Sequence, residues 1–355
     1  MILVTGGSGF IGSNFVLDWI ACQNEPIIVL DKLTYAGNLN NLNSVKNNPL
    51  FTFFQGDIND KGLIETLLKT YSPRAILNFA AESHVDKSIN NPDEFIRTNI
   101  NGTFCLLEET RQHWNSLNSD DQSSFRFLQI STDEVYGSLG VNEAAFSETR
   151  AYSPNNPYSA SKAAADHLVN AYHHTYQLPT LITNCSNNYG SYQFPEKLIP
   201  LTILNALQHQ RLSIYGDGLQ IRDWLHVSDH CSAIREVLSK ATPGQTYNIG
   251  GHCEKTNIDV VKTICSLLDK LKPKSDSSSY ASLITHVKDR PGHDRRYAID
   301  ANKIYQDLGW LPKESFESGI QKTISWYLNN LDWISTINNN DNFQTWLELN
   351  YDDRG

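Results

Sequence analysis

Tyr158 and Lys162 stand four residues apart in Tyr158-Ser159-Ala160-Ser161-Lys162. That spacing puts both side chains on one face of a helix, one turn apart. A phenol with a reference pKa of about 10 needs help to act as a base at neutral pH, and a neighbouring ammonium and a helix N-terminus both favour its ionised form. Pro154-Asn155-Asn156-Pro157 stops the preceding loop, so the helix is predicted to begin at Tyr158. In another setting the same pair is a structural tyrosine beside a solvated lysine. Upstream, Thr132-Asp133-Glu134 sets a hydroxyl before two carboxyl groups. Adjacent carboxyls can serve as acid and base when burial and like-charge repulsion keep one protonated. The bland alternative is a helix cap or a solvated loop.

A third constellation opens the chain. Gly7-Ser8-Gly9-Phe10-Ile11-Gly12 is a G-x-G-x-x-G, and Gly6 adds an overlapping G-x-x-G-x-x-G. Such glycines allow a sharp turn and bring backbone N–H groups to a pyrophosphate at the positive end of the next helix. Asp31 follows about 20 residues on, at the end of the second apolar run. An acid there accepts ribose hydroxyls and repels a 2′-phosphate, which favours NAD over NADP. Asp57, after the third run, is a candidate adenine contact, or else a loop acid or helix cap.

The elements that must position these groups are legible as an alternation. Met1–Thr5, Pro26–Asp31, Phe51–Gln55, Ala75–Ala80, Phe125–Ser131 and Thr180–Cys185 read as strands. Ile11–Ala21, Lys61–Tyr71, Asp93–His113 and Tyr158–Tyr176 read as helices. Strands buried on both faces between helices predict an α/β, Rossmann-like, doubly wound parallel sheet. Its strand carboxyl ends form the ligand crevice, which is where Thr132, Asp133 and Glu134 fall. After about Asn187 the alternation becomes irregular. The division expected is residues 1–186, a smaller mixed α/β domain over 187–330 with a discontinuous boundary, and a tail over 331–355. Lys270–Ser282 reads as an exposed loop. The Asn- and Asp-rich tail carries Trp333, Trp346 and Leu347, and either docks as a short helix or stays loose.

Composition narrows the function classes. The 355 residues carry 29 Lys+Arg against 39 Asp+Glu, a net charge of −10, which argues against bulk nucleic-acid binding but not against a local basic pocket. A hydrophobic content of 40% excludes a disordered chain. No apolar run reaches the ~20 residues of a membrane helix, and the N-terminus shows no secretory pattern, so a cytoplasmic protein is expected. Six dispersed cysteines without a C-x-x-C pair read as free thiols. His226 and His230 have a helical metal-ligand spacing but lack the glutamate of H-E-x-x-H, and no metal is expected.

The glycine loop, Asp31 and Tyr158/Lys162 resemble the extended short-chain dehydrogenase/reductase superfamily. Further runs are similar to its nucleotide-sugar 4,6-dehydratases: Asp31–Asn38, Ala81–Asp86, Ser131–Gly137, Asn187–Gly190, Pro195–Pro200, Arg222–His226 and Asp289–Asp294. The resemblance implies oxidation at carbon 4 of a sugar, elimination of water across carbons 5 and 6, and hydride return to carbon 6. Thr132 would bond the reacting oxygen, Tyr158 with Lys162 would take the carbon-4 hydroxyl proton, Glu134 the carbon-5 hydrogen, and Asp133 would protonate the leaving hydroxyl. Sugar 4-epimerases carry small neutral residues where Asp133 and Glu134 stand. NAD is the implied cofactor, held by Gly6, Gly9, Phe10, Ile11, Gly12, Asp31, Lys32, Leu33, Thr34, Asp57, Ile58, Ala80, Ala81, Ser83, Thr98, Tyr158, Lys162 and Asn188. The implied substrate is dTDP-glucose, contacted by His84, Thr132, Asn187, Lys197, Leu198, Ile214, Tyr215, Arg222, Asn257, Arg290 and His293, mainly from the second domain. A homodimer through Asp93–His113 and Tyr158–Tyr176 is implied too. Ser213 stands where the resemblance leads one to expect proline. The alternatives are a 4-epimerase, a dehydratase of another nucleotide sugar, and a non-catalytic NAD sensor, which would have no need for Asp133, Glu134, Tyr158 and Lys162 together.

Overall fold

Runs such as Ile2-Leu3-Val4 and Ile27-Ile28-Val29-Leu30 are apolar on both sides of the pleat and are buried throughout, as strands covered on both faces must be. The computed structural model describes residues 1–289 and 293–338, so Arg290, Trp346 and Leu347 lie outside the described residues. The strands are Ile2–Thr5 (β1), Ile27–Asp31 (β2), Phe51–Gln55 (β3), Ala75–Asn78 (β4), Arg126–Thr132 (β5), Thr180–Cys185 (β6), Asn187–Tyr189 (β7), Leu212–Tyr215 (β8), Ile221–His226 (β9), Thr246–Ile249 (β10), Glu254–Thr256 (β11) and Ile284–Val287 (β12).

Seven of them form one parallel sheet in the order β10-β6-β5-β4-β1-β2-β3. The order reverses between β1 and β4, and the crevice at that switch point is where such sheets bind ligands. Helices Phe10–Cys22 and Val227–Lys240 bury Phe15, Trp19, Ile234 and Val237 on one face, with Val4 and Leu128. Helices Lys61–Tyr71, Thr103–Ser116 and Pro157–Tyr176 cover the other, through Leu67, Leu106 and Val169. Chain direction therefore carries β10 and helix Val227–Lys240, both from the irregular half, back into the first sheet.

The remaining strands form two small sheets, β11-β9-β7 and β12-β8. Helices Leu198–Leu207, Asn257–Leu271 and Phe316–Asn329 pack with them around Ile203, Ile264, Ile320 and Trp224. No helix among the described residues is long and apolar enough to cross a membrane.

Three expectations change. The helix expected over Asp93–His113 is interrupted: Asp93–Phe95 passes through a π-helical stretch, Ile96–Gly102, before Thr103–Ser116. Asn99 explains the widened turn, because its amide accepts from Glu82 N at 2.9 Å and donates to Glu82 O at 3.0 Å and Ser161 Oγ at 2.8 Å. Such bulges cluster at functional sites. β4 ends at Asn78 rather than Ala80, since Asn78 turns inward to accept from Thr5 Oγ1 and donate to Gln129 Oε1. Finally, the loop over Lys270–Ser282 is not exposed throughout: Tyr280 is buried, its hydroxyl donating to Lys272 O at 2.9 Å.

Candidate active site

The first turn takes its shape from two glycines. Gly6 has φ +68°, and a Cβ there would lie 2.6 Å from Ala80 N. At Gly12 a Cβ would stand 2.2 Å from Gly6 O, so only glycine lets helix Phe10–Cys22 cross the turn this closely. Asp31, at the end of β2, accepts Ser8 N on Oδ2 and Leu33 N on Oδ1, both at 2.8 Å. Burial raises its carboxyl, and these two N–H groups act against the rise.

A cavity of about 310 Å³ runs from this turn across the carboxyl ends of β1, β2, β4 and β5 to Tyr158 and Lys162. Its wall includes Gly6, Gly9, Phe10, Ile11, Gly12, Asp31, Lys32, Thr34, Asp57, Ile58, Ala80, Ala81, Ser83, Thr98 and Asn188. Leu33, between the lining residues Lys32 and Thr34, sits at φ +56° and donates its N–H to Asp31. Asp57 is paired with Lys32 at 3.0 Å.

Asn156 caps helix Pro157–Tyr176 in a reciprocal box with Ser159, and Pro157 occupies the first turn, so the helix begins one residue before Tyr158. Tyr158 and Lys162 are both buried at the cavity. Lys162 Nζ donates to Ile130 O at 2.7 Å. Burial lowers the Lys162 ammonium, and Asp166 and Cys185 hold it up. Burial also pushes the Tyr158 phenol well above its ordinary value, followed by Glu134 and Cys185, while the Thr132 hydrogen bond pulls it down. The Thr132 hydrogen bond thus favours the phenolate, and Lys162 stands one helical turn from Tyr158 at the same cavity. One turn beyond Lys162, Asp166 accepts Ser131 Oγ at 2.6 Å and Tyr152 OH at 3.3 Å. Burial pushes it up to about 6, opposed first by Lys162.

Thr132 closes β5 and accepts Glu134 N at 3.3 Å, capping the turn Asp133–Tyr136. A cap is therefore present, but the carboxyls themselves line the cavity. Asp133 is 2% exposed, and its Oδ2 has no hydrogen-bond partner among the described residues. Burial first, then Glu134 and Asp223, push its carboxyl well above the usual range, against Arg222 and the Thr132 hydroxyl. Burial and the neighbouring carboxyls thus favour the protonated form of Asp133.

A second cavity of about 220 Å³ adjoins the first and shares Glu134, Asn187, Asn188 and Lys197 with it. Its wall adds His84, Leu198, Ile214, Tyr215, Arg222, Asn257 and His293, whereas Thr132 faces only the first. Arg222 is buried, donates to Ile221 O at 2.7 Å and Asp294 O at 3.0 Å, and lies 4.6 Å from the Tyr297 ring. His84 accepts Lys87 N at 3.2 Å, Lys197 donates to Ser83 O at 3.1 Å, and His293 pairs with Asp289 at 2.6 Å. Asn188 is set by two groups, Ser186 O at 2.9 Å and His230 Nδ1 at 3.0 Å. Burial pushes His230 down to about 3, so it is neutral, and among the described residues no cluster could hold a metal. Sequence reading missed Gln193, Phe194, Glu196, Trp224 and Tyr297. Glu196 and Trp224 had a signal, their places inside the runs Pro195–Pro200 and Arg222–His226.

Comparison with known proteins accords with this geometry. The family model described as GDP-mannose 4,6 dehydratase matches residues 3–323. A dTDP-glucose 4,6-dehydratase of Xanthomonas campestris pv. campestris is 57% identical over 335 residues, covering 94% of this chain and 95% of the relative. The crystal structure of the Bacillus anthracis dTDP-glucose 4,6-dehydratase in complex with NAD is 47% identical, with a TM-score of 0.84, over 95% of this chain and 99% of that one. The Streptomyces venezuelae dTDP-glucose 4,6-dehydratase, also solved with NAD bound, is 43% identical with a TM-score of 0.85 over the same shares of 95% and 99%. The chain belongs to the dTDP-glucose 4,6-dehydratase family, within the nucleotide-sugar 4,6-dehydratases.

Proposed function

We infer that the chain is a hydro-lyase that converts dTDP-glucose to dTDP-4-keto-6-deoxyglucose with NAD as its resident cofactor. The first cavity fits a dinucleotide: a glycine turn at a helix start, and a buried Asp31 whose oxygens each accept one N–H and keep lone pairs for ribose hydroxyls. NAD, when bound, takes the hydride from carbon 4 and gives it back at carbon 6. Lys32, Asp57 and the other wall residues named above would hold it.

The observation that carries the reading is the placement of two adjacent carboxyls at the end of β5, both on the cavity wall, with Asp133 buried and its Oδ2 without a hydrogen-bond partner among the described residues, a setting that favours its protonated form. Thr132 holds the carbon-4 oxygen while Tyr158 takes its proton. The resulting ketone acidifies the carbon-5 hydrogen, which Glu134 removes. Asp133 gives its proton to the carbon-6 oxygen, and water leaves. Glu134 then returns its proton to carbon 5, and the proton held by Tyr158 balances the one lost from Asp133. Each positioned transfer contributes roughly 10²–10⁴-fold. A 4-epimerase would use Tyr158 and Thr132 but leave Asp133 without a task.

Arg222 and Lys197 supply cations for the diphosphate despite the net charge of −10, with His84, Asn187, Leu198, Ile214, Tyr215, Asn257 and His293 around the sugar and base. The substrate unit is drawn from residues 187–330 apart from β10 and helix Val227–Lys240. Exposed Ile96, Phe104 and Tyr176 support a homodimer through the helices that carry them, and free cysteines support a reducing, cytoplasmic setting.

Incubation with dTDP-glucose and NAD tests the function. A 4-keto-6-deoxy product, followed by its absorbance in alkali, is expected, with UDP-glucose turned over more slowly. Formation of the 4-epimer instead would overturn the reading.

A further inference from the structure

The described part of the C-terminal tail is a helix, Leu331–Asn338, and it reaches the glycine loop at the other end of the chain. Trp333 Nε1 donates to Asn41 Oδ1 at 2.7 Å, across 292 residues of sequence. Asn41 Nδ2 donates to Ser8 O at 3.0 Å, and Asn38 N donates to the same carbonyl at 3.0 Å. Ser8 N in turn donates to Asp31 Oδ2 at 2.8 Å. Trp333, Asn41, Ser8 and Asp31 are all buried, so none of these bonds competes with water.

The direction of this chain of bonds follows from donor chemistry. An indole N–H can only donate, so the Asn41 amide must turn its oxygen to Trp333 and its NH₂ to the Ser8 carbonyl. With that carbonyl held, the Ser8 N–H points back to Asp31 and the following turn presents Gly9 at the start of helix Phe10–Cys22. The ring is itself fixed: Trp326 lies 5.0 Å from it and Tyr192 5.9 Å, in edge arrangements. The preceding helix, Phe316–Asn329, grips the opposite wall, where the Tyr327 hydroxyl donates to Gln193 O.

Resting on the dinucleotide reading above, we propose that Trp333 and Asn41 are positioning residues for the cofactor loop: the C-terminal helix is a clasp that preorganises Gly7-Ser8-Gly9 and Asp31 for a dinucleotide. Neither residue lines the first cavity. Their removal should weaken NAD affinity and leave the chemical steps alone.

The test uses the full chain freed of nucleotide, with the NAD dissociation constant measured by titration. Trp333→Phe keeps an aromatic ring but removes the N–H with the five-membered ring, a loss of ring area that Trp326→Phe controls for; it should weaken NAD about fivefold, the net worth of one hydrogen bond. Asn41→Ala should do the same. The double variant should be no weaker than either single one, because both break one chain of bonds. Trp326→Phe, in the same aromatic cluster, should bind NAD like the wild type. At saturating NAD, kcat should be unchanged in all four, and amide exchange at Ser8 and Gly9 should speed up only where the clasp is broken. Trp333→Phe with wild-type affinity, Trp326→Phe with an equal loss, or additive losses in the double variant would each overturn the clasp. If Trp333→Phe does not fold, unchanged affinity in Asn41→Ala overturns it alone. A wild-type chain that does not bind NAD overturns the dinucleotide reading instead.

Discussion

The two adjoining cavities are built in different ways. The first takes its walls from the carboxyl ends of neighbouring parallel strands, where register fixes each position: Thr5 lies beside Leu30 and Asn78, and Thr132 beside Cys185. The second is assembled from segments near residues 84, 197–215, 222–224, 257 and 293–297, on sheets of two and three strands. A stiff sheet edge suits proton transfers that must be placed to fractions of an ångström, whereas an assembled layer suits recognition of a long anionic ligand. Damage to the first should appear in kcat, and damage to the second in KM.

Tyr158→Phe is the most severe break on the sheet side. Turnover should fall by roughly 10²–10⁴-fold with KM within a few-fold, and no reduced cofactor should form in a single turnover. An unchanged rate of cofactor reduction would remove Tyr158 from its role.

Asp166→Asn probes the same side from behind Lys162. Asp166 is among the groups that hold the Lys162 ammonium up against burial, so its loss lowers Lys162 further. The alkaline limb of the kcat/KM profile should move to lower pH, with a loss of roughly tenfold, the effect of about one pKa unit. Stability gives a second sign. Asp166 titrates at about 6 when folded, above the ordinary carboxylate range, so the folded chain binds that proton more tightly. Its stabilising contribution is complete at acidic pH and is lost as pH rises through about 6. Relative to the variant, the wild type should melt at progressively lower temperature over that window.

The substrate side should yield the mildest of these effects. Lysine at position 222 cannot reproduce the fork that bonds Ile221 O and Asp294 O while lying against Tyr297. Arg222→Lys should raise KM by roughly fivefold, about 1 kcal/mol, with kcat retained. A fall in kcat as large as that rise would erase the proposed division between the cavities.

The same contrast explains what could be read in the sequence. Gly6 to Gly12, Asp31 and the Thr132–Glu134 run are contiguous and sit where a strand ends, so local pattern and position agree. Lys162 was found by spacing, but its bond to Ile130 O depends on the neighbouring strand and was not foreseeable. The bond from Leu33 N to Asp31 was not legible, because a residue that serves through its N–H looks the same in sequence as one that serves through its side chain. Tyr297 faces Arg222 only after the chain has folded back across many intervening residues, and no periodicity marks it. The widened turn at Asn99 and the bond from Trp333 to Asn41 are likewise tertiary, each made by an amide whose partners lie on other segments.

The central claim is that Asp133 and Glu134 divide the acid and base work of one elimination. It is tested most directly by a single turnover of Glu134→Gln with dTDP-glucose, following reduced nicotinamide by absorbance and loss of the carbon-5 hydrogen by exchange with heavy water. Reduced cofactor should accumulate and persist, with carbon-5 exchange and deoxysugar formation slowed by roughly 10²–10⁴-fold. Decay of the reduced cofactor at the wild-type rate, with normal product, would contradict the account.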